Sequence, residues 1–271
     1  MGLAHKLPTT ALRATVLELA ILTAHLLVYP TGVLAERRPA APRPPRPDEV
    51  PLRGAPRPPV ILLHGFTDNR SVFLLLRRTL AEGGRHHVET LNYSPLTTDL
   101  RAAARRLARQ VEEVLAHTGQ GRVDLVGHSL GGLVARYYVQ RLGGDARVRT
   151  VVTLGTPHHG TRIAPLMDAH PLVRQMRPDS PILTELAAPA PGCHTRFACF
   201  WTDLDQLMVP VTTARLDHPD LVTENIRVTG IGHLALPAHP AVAARIRRIL
   251  SGDAPGTLLE SGSASGSFSV A

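Results

Sequence analysis

Short runs of mostly apolar residues alternate with segments of helical periodicity along the middle of the chain. Six of these runs have the length of buried strands, and they lie at Val60–Leu63, Val88–Tyr93, Val123–Val126, Thr150–Leu154, Arg196–Trp201 and Ile226–Thr229. Helical spacing runs from an N-cap at Thr98 or Asp99 to Gly119, and again over Leu130–Leu142 and Ala241–Leu250. Because strands that alternate with helices form parallel sheets covered on both faces, the pattern predicts a doubly wound, mostly parallel α/β sheet.

The composition changes on both sides of this region, which we place at residues 59–250. Residues 36–58 are dominated by Pro, Arg and Ala, which predicts an extended linker. Residues 251–271 are rich in Gly, Ser and Ala, which predicts a disordered tail. A chain of 271 residues with 44% hydrophobic residues is long enough for one sizeable core. We therefore expect one folded domain, acting as a monomer.

Residues 1–35 are expected to be an apolar leader or helix. The strongly apolar stretch Ala14–Val28 follows basic residues and precedes the small-residue triplet Val33–Ala35, a pattern that a signal peptidase accepts. Glu18 and His25 interrupt the stretch and leave it short of a ~20-residue membrane span. Two interpretations stay open. An export signal or anchor would make the protein secreted or membrane-associated, with a membrane surface as partner, whereas the alternative is a helix retained on the folded domain.

The positive charge is spread along the chain. The formal net charge is +8, yet only one lysine is present and the arginines are scattered. Several of them fall on the solvated face of a predicted helix, namely Arg101, Arg105, Arg106 and Arg109. Because no nucleic-acid-binding module accompanies the charge, we expect no nucleic-acid partner.

The two cysteines, Cys193 and Cys199, do not have the spacing of a zinc site. They are close enough in sequence to close a small disulfide loop, and they are equally compatible with two buried thiols. The sequence leaves that choice open. It predicts neither a metal nor an organic cofactor.

Candidate chemistry begins at Gly127-His128-Ser129-Leu130-Gly131, which matches the pattern G-x-S-x-G directly after a predicted strand and directly before a predicted helix. Such a turn is tight enough to require glycines on either side, and it raises the serine hydroxyl above the sheet edge at a helix N-terminus. Ser129 is therefore the predicted nucleophile.

A serine hydroxyl needs a histidine base and a carboxylate that orients the base. In enzymes with this turn, the acid and then the histidine follow the serine along the chain. His233 lies in a loop after the last predicted strand, and the loop after Trp201 offers Asp203 and Asp205. His128, inside the turn, is expected to point away from the nucleophile.

The reaction also requires donors to the oxyanion that develops on the attacked carbonyl, and backbone N–H groups are suited to this because they cannot rotate away. Leu130, the residue after the nucleophile, supplies one such N–H. The loop after the first strand of the domain supplies the other, from Phe66 or, as second choice, from Thr67.

Four segments together resemble the bacterial triacylglycerol lipase and esterase family of the α/β-hydrolase superfamily, and they are His64-Gly65-Phe66, Gly127–Gly132, Leu154–Thr161 and Gly230–His233. The resemblance covers about residues 59–250. It implies an α/β-hydrolase fold that cleaves lipid or small carboxylic esters through an acyl-enzyme. The family places its acid a few residues before a Val-Pro turn, which implies Asp205 as the acid and Asp203 as a loop cap. Some relatives bind calcium, but no acidic cluster of this sequence matches such a site.

The segment from Arg162 to His194 is longer than an ordinary connection, and such insertions are usually functional. It is expected to form a lid or one wall of the acyl-binding pocket, through Leu166, Met167, Leu172 and Met176. A structural cap that packs on the core is the alternative.

The motifs do not separate an esterase from other acyl transfer on the same three residues. A thioesterase, an acyltransferase to an alcohol, and an enzyme that deacylates a lipid anchor all remain compatible with them. A non-catalytic binding protein on the same scaffold is the alternative from a different class, since a fold does not dictate a function.

Overall fold

The computed structural model describes residues 7–33, 57–66, 68–85, 87–93, 98–163, 170–252 and 264–269. The helices in these ranges are α1 (Leu7–Val33), α2 (Leu74–Glu82), α3 (Leu100–Thr118), α4 (Leu130–Arg141), α5 (Pro171–Arg174), α6 (Pro181–Ala187) and α7 (Pro240–Ser251). The strands are β1 (Val60–Leu63), β2 (Val88–Leu91), β3 (Val123–His128), β4 (Val148–Leu154), β5 (Arg196–Thr202), β6 (Val222–Thr229) and β7 (Ala264–Ser269).

Within the described residues, the strands form one sheet in the order β2-β1-β3-β4-β5-β6-β7. Every neighbouring pair is parallel. The six predicted strands are all present, and β6 begins four residues earlier than its apolar run. The extra length of β6 consists of the exposed Val222, the half-buried Thr223 and Glu224 and the buried Asn225, a mostly polar stretch that the search for apolar runs does not detect.

Alternate residues of the central strands face two apolar layers, one on each face of the sheet. In β1, Ile61 and Leu63 pack with residues of α3 and α4, whereas Val60 and Leu62 pack with residues of α2 and α7. Both faces of the sheet are therefore covered, as the near-continuous apolar runs predicted.

The ends of α3 show why its sequence folds as a helix there. The Asp99 carboxylate caps the first turn by accepting from the Arg101 N–H at 3.1 Å. At the other end Gly119 adopts the left-handed conformation, with φ of 67°, and donates its N–H to the Leu115 carbonyl. The structure selects Asp99 rather than Thr98 as the N-cap.

The structure describes part of residues 251–271, which the sequence predicts to be a disordered tail. Helix α7 reaches Ser251, and Ala264–Ser269 pairs with β6 as strand β7. A parallel edge strand is held by backbone hydrogen bonds, which need no apolar side chains, so its Gly and Ser content gave no signal. The linker predicted at residues 36–58 lies almost entirely outside the described residues.

The N-terminal segment forms a helix that contacts the domain. Leu17 and Ile21 of α1 are partly buried against the apolar layer that includes α2 and α7. No helix among the described ranges is both long and apolar enough to cross a bilayer.

The two cysteines are free thiols. Cys199 lies within β5 and is fully buried, which raises the pKa of its thiol to about 12. Cys193 precedes the strand and is half-buried, and its pKa is raised to about 11 for the same reason.

Candidate active site

The predicted nucleophile, base and acid all lie at the carboxyl ends of parallel strands of the one sheet. Ser129 follows β3, Asp205 lies three residues after β5, and His233 lies in the loop after β6. Parallel strands carry their carboxyl ends to one edge of the sheet, which brings together residues that are up to about a hundred positions apart in sequence.

Ser129 occupies a sharp turn between β3 and α4. Its φ of 51° and ψ of −119° are strained for a residue other than glycine, and its N–H donates to the Leu154 carbonyl at 2.8 Å. A Cβ at Gly131 would collide with the backbone of Leu63, so a glycine is required where α4 begins against β1. Backbone strain at a residue other than glycine is most frequent at functional sites, so this turn makes Ser129 a candidate for chemistry.

His233 and Asp205 form a buried pair. Nδ1 of His233 lies 2.8 Å from Oδ2 of Asp205, and both side chains are almost completely buried. The other carboxylate oxygen of Asp205 accepts from the backbone N–H groups of Leu207 and Met208, at 2.9 and 3.0 Å. With both of its oxygens engaged, the carboxylate is fixed in orientation, and it fixes the imidazole in turn.

The end of β4 must approach this pair closely. Gly155 has a φ of 54°, and a Cβ there would lie 2.8 Å from Nδ1 of His233 and 3.1 Å from Oδ2 of Asp205. A side chain at position 155 would therefore displace the imidazole or the carboxylate. The loop that carries His233 is also tied to β5, because the Thr202 hydroxyl donates to the Ile231 carbonyl at 2.7 Å.

The electrostatic surroundings of His233 favour the protonated ring. Burial lowers the pKa of His233, but the carboxylates of Asp205, Asp68 and Glu18 act against burial and together raise the pKa above its ordinary value. A histidine with this environment is a stronger base than a free imidazole, which suits the removal of a hydroxyl proton.

A second imidazole–carboxylate pair lies beside the first. Nδ1 of His128 is 3.0 Å from Oδ2 of Asp68, and both side chains are buried. The ring centroids of His128 and His233 are 4.8 Å apart. Sequence reasoning missed Asp68, since its partner is 60 positions away and no local pattern links the two.

A cleft opens above these groups. Ser129, His128, His233 and Asp68 line its polar floor. The remaining lining residues are mostly apolar, and they are Gly65, Phe66, Thr161, Ile163, Val173, Met176, Leu207, Met208 and Leu234.

The residues predicted for the acyl-binding wall divide into three cases. Met176 lines the cleft, whereas Leu172 is only 2% exposed and packs in the core layer beside α3 and α4. Val173, its neighbour, belongs to the same core layer but also lines the cleft, because α5 is a single turn whose successive residues point in different directions. Leu166 and Met167 lie outside the described residues, as does Thr67, the second choice for the oxyanion donor.

The alternative acid, Asp203, faces away from the cleft. Its carboxylate forms an ion pair with the exposed Arg227 of β6. His158, another histidine of the matched motifs, is buried with Nε2 at 3.0 Å from the Thr153 hydroxyl, and burial beside Arg136 holds its pKa well below the usual range. His158 therefore belongs to the buried structure that supports the turn at Ser129.

The described residues contain no cluster of three or more His, Cys, Asp or Glu side chains placed to hold a metal ion.

Comparison with known sequences gives one family and several relatives. The sequence profile of the alpha/beta hydrolase fold matches residues 58–181. Two curated proteins named triacylglycerol lipase, from Pseudarthrobacter phenanthrenivorans and Burkholderia plantarii, are 33% identical to the chain over 117 residues, which is 41% of its length. The matched segment covers 36% and 32% of these relatives, so the chain spans about a third of their length.

Solved structures show the same architecture. Aspergillus fumigatus lipase B is similar with a TM-score of 0.63 and 18% identity, over 74% of this chain and 54% of that one. The propeptide form of Bacillus licheniformis lipase BlEst2 is similar with a TM-score of 0.60 and 17% identity, over 80% and 55%. At such identities the likeness concerns the fold alone, and with the sheet topology it confirms the predicted fold class.

Proposed function

We propose that this chain, a member of the α/β-hydrolase superfamily, hydrolyses carboxylic esters with Ser129 as nucleophile, His233 as general base and Asp205 as the acid that orients the base. The observation that carries the proposal is the buried Asp205–His233 pair, whose imidazole lines the same cleft as a serine held at a strained turn. The lipase names of the sequence relatives support the same reaction class.

The proposed reaction has two halves. His233 takes the hydroxyl proton of Ser129 while Oγ bonds to the ester carbonyl carbon, and the proton then passes to the departing alcohol as its C–O bond breaks. Water next attacks the acyl carbon while its proton passes to the same imidazole, and that proton returns to Oγ of Ser129 as the bond between Oγ and the acyl carbon breaks and the carboxylic acid leaves. Asp205 stays ionised throughout and stabilises the imidazolium that forms in each half.

The oxyanion donors are proposed to be the backbone N–H groups of Phe66 and Leu130. Leu130 is the first residue of α4, where N–H groups have no partner within the helix, and Phe66 lines the cleft beside Ser129. Donors of this kind typically contribute a factor of about 10² to 10³ in turnover.

The proposed substrates are esters with an apolar acyl group. The cleft is lined mostly by aliphatic and sulfur-containing side chains, including Ile163, Val173, Met176 and Leu207, beside the polar groups of Ser129 and His233. Such a lining favours acyl chains by the hydrophobic effect and places the ester bond at the polar end.

Labelling with a fluorophosphonate probe tests the nucleophile directly. We expect the probe to modify Ser129 in the wild-type protein, and a series of p-nitrophenyl esters from short to long chain to be hydrolysed. Ser129→Ala is expected to remove both labelling and turnover, the latter by on the order of 10⁶, while the protein stays folded by circular dichroism. Turnover within tenfold of wild type in the variant would overturn the assignment, and thioesters assayed in parallel distinguish a thioesterase.

The acyl-binding wall has its own test. Val173→Ala and Met176→Ala together remove several methylenes that an acyl chain would contact, each worth about 0.8 kcal/mol when buried. The ratio of kcat/KM for an octanoyl ester to that for an acetyl ester should fall by about tenfold or more. Leu74→Ala, on the exposed side of α2, is the control and should leave the ratio unchanged. An unchanged ratio in the folded double variant would mean that the acyl group binds elsewhere.

A further inference from the structure

Helix α1 contacts the loop that carries His233 through one carboxylate. Glu18 accepts a hydrogen bond from the Leu234 N–H at 2.8 Å and another from the Ala235 N–H at 2.9 Å. These are the two residues that directly follow the proposed base. Of the two side chains that interrupt the apolar stretch of the N-terminus, Glu18 is thus the one that binds the loop of the proposed base.

The contact at Glu18 is part of a longer docking surface. Ala14 is 4% exposed, and Leu17 and Ile21 pack against the apolar layer that contains Ile231 and Ala235. Toward the far end of the helix, the Tyr29 carbonyl accepts from Asn69 Nδ2 at 2.8 Å. Helix α1 therefore spans from the loop after β6 to the loop after β1.

The main chain of the His233 loop is shaped for this carboxylate. A Cβ at Gly232 would lie 2.7 Å from Cδ and 3.0 Å from Oε1 of Glu18. Any larger residue at position 232 would force the carboxylate away from the two N–H groups. The loop and the helix therefore approach each other as closely as a glycine allows.

From these contacts we infer that Glu18 is a positioning residue for the proposed base His233. On this inference, α1 is a functional part of the folded enzyme rather than a leader that is cleaved off. The inference rests on the proposed function, which makes His233 the base. Two hydrogen bonds to consecutive N–H groups fix the backbone directly after His233, and a base displaced by about 1 Å can lose on the order of 10² in rate.

The charge of Glu18 adds a second effect on the same imidazole. The charged and titratable groups that face His233 are Asp205, Asp68 and Glu18, with the ring of His128 alongside. Burial lowers the pKa of His233 and all three carboxylates raise it, so removal of the Glu18 charge lowers it. Because the neutral imidazole is the active form, the acid limb of kcat/KM then moves to lower pH.

Variants of the full-length chain separate these effects. Glu18→Ala removes both hydrogen bonds and the charge, and should lower kcat by about tenfold to a hundredfold with little change in KM. Glu18→Gln removes the charge and keeps one acceptor oxygen, so it should cost less in kcat but still move the acid limb to lower pH. Leu19→Ala, at the neighbouring exposed position of the same helix, is the matched control and should change neither.

A second pair of substitutions tests the geometry. Gly232→Ala should reduce kcat in the wild-type background, because its Cβ displaces Glu18. In the Glu18→Ala background, the same substitution should cost little, since the carboxylate that it displaces is already gone. Equal losses in the two backgrounds would mean that Gly232 matters for another reason and would count against the inference.

Two readouts need no substrate and keep this inference distinct from the proposed function. Amide hydrogen exchange at Leu234 and Ala235 should accelerate by on the order of tenfold in Glu18→Ala and remain at the wild-type rate in Leu19→Ala. The His233 imidazole, titrated by NMR, should show a lower pKa in Glu18→Gln. Wild-type exchange rates and an unchanged pKa in the Glu18 variants would overturn the inference, whereas an unlabelled Ser129 in the wild-type protein would overturn the proposed function.

Discussion

Two imidazole–carboxylate pairs lie side by side under the cleft and look alike in chemistry. His233–Asp205 has a hydrogen bond of 2.8 Å, and His128–Asp68 has one of 3.0 Å, with the carboxylate on Nδ1 in both. All four side chains are buried. Neither composition nor hydrogen bonding alone decides which pair performs chemistry.

The difference lies in what each pair connects. His128 is the last residue of β3, directly before Ser129, so its backbone is fixed by the sheet and by the turn at Ser129. Asp68 belongs to the loop after β1, and a Cβ at Gly65 would lie 2.6 Å from its Oδ2. The hydrogen bond between His128 and Asp68 therefore ties the loop that carries Phe66 to the turn at Ser129.

The other pair lies on loops after β5 and β6 instead. His233 lines the cleft from a loop that is separate from the turn at Ser129. Its ring can therefore face the hydroxyl of Ser129 across the ends of the strands. In the proposed mechanism, the two pairs therefore take different roles according to the chain position of the histidine. The Asp205–His233 pair supplies the base, and the Asp68–His128 pair positions the loop and the turn beside it.

The largest expected difference in kcat is between variants of the two histidines. His233→Ala should lower kcat by on the order of 10⁶, because the base acts as a unit with Ser129 and Asp205. His128→Ala should keep kcat within about a hundredfold of wild type. It should instead lower the free energy of unfolding by about 1.5–3 kcal/mol, because a hydrogen bond to a buried carboxylate is lost.

Steady-state kinetics and urea unfolding of both variants measure this contrast. A loss of activity in His128→Ala as large as that in His233→Ala, in a folded protein, would mean that the two pairs act together in catalysis.

A smaller contrast is expected between the carboxylates. Asp205→Asn should cost about 10⁴ in turnover, since an amide no longer selects the tautomer of His233 that accepts the hydroxyl proton. Asp68→Asn should cost about tenfold, because it affects only the positioning of the loop and the electrostatics of the site. Asp203→Asn, which disrupts an exposed ion pair with Arg227, is the control and should remain near wild type. If the largest loss follows Asp203 or Asp68, the assignment of the acid is wrong.

Part of the candidate site could be predicted from local sequence patterns. The proposals for Ser129 and His233 come from signals contained in a few neighbouring residues, namely the G-x-S-x-G pattern and the position after the last apolar run. The choice of Asp205 over Asp203 came from the family resemblance, and the structure distinguishes them through Arg227, which lies 24 positions from Asp203.

What the sequence could not predict depends on distant contacts. The role inferred for Asp68 depends on its contact with His128, and the role inferred for Glu18 depends on its contacts with backbone amides 216 and 217 positions away. Likewise, only packing decides that Val173 lines the cleft whereas Leu172, in the same core layer, does not. Periodicity identifies apolar positions but gives no information on which elements meet across the fold.

The smallest expected effect concerns pH, and it sharpens the comparison because it involves both pairs. Burial lowers the pKa of His233, whereas Asp205, Asp68 and Glu18 raise it, with a net rise. The base must be neutral to accept the proton of Ser129, so activity is lost as the pH falls through this raised pKa. Asp68→Asn removes one of the negative charges that favour the imidazolium and therefore lowers the pKa, which moves the acid limb of kcat/KM to lower pH. Profiles for a short soluble ester should show this shift in Asp68→Asn and none in Asp203→Asn, whereas a shift to higher pH would mean that the Asp68 charge does not act on the base.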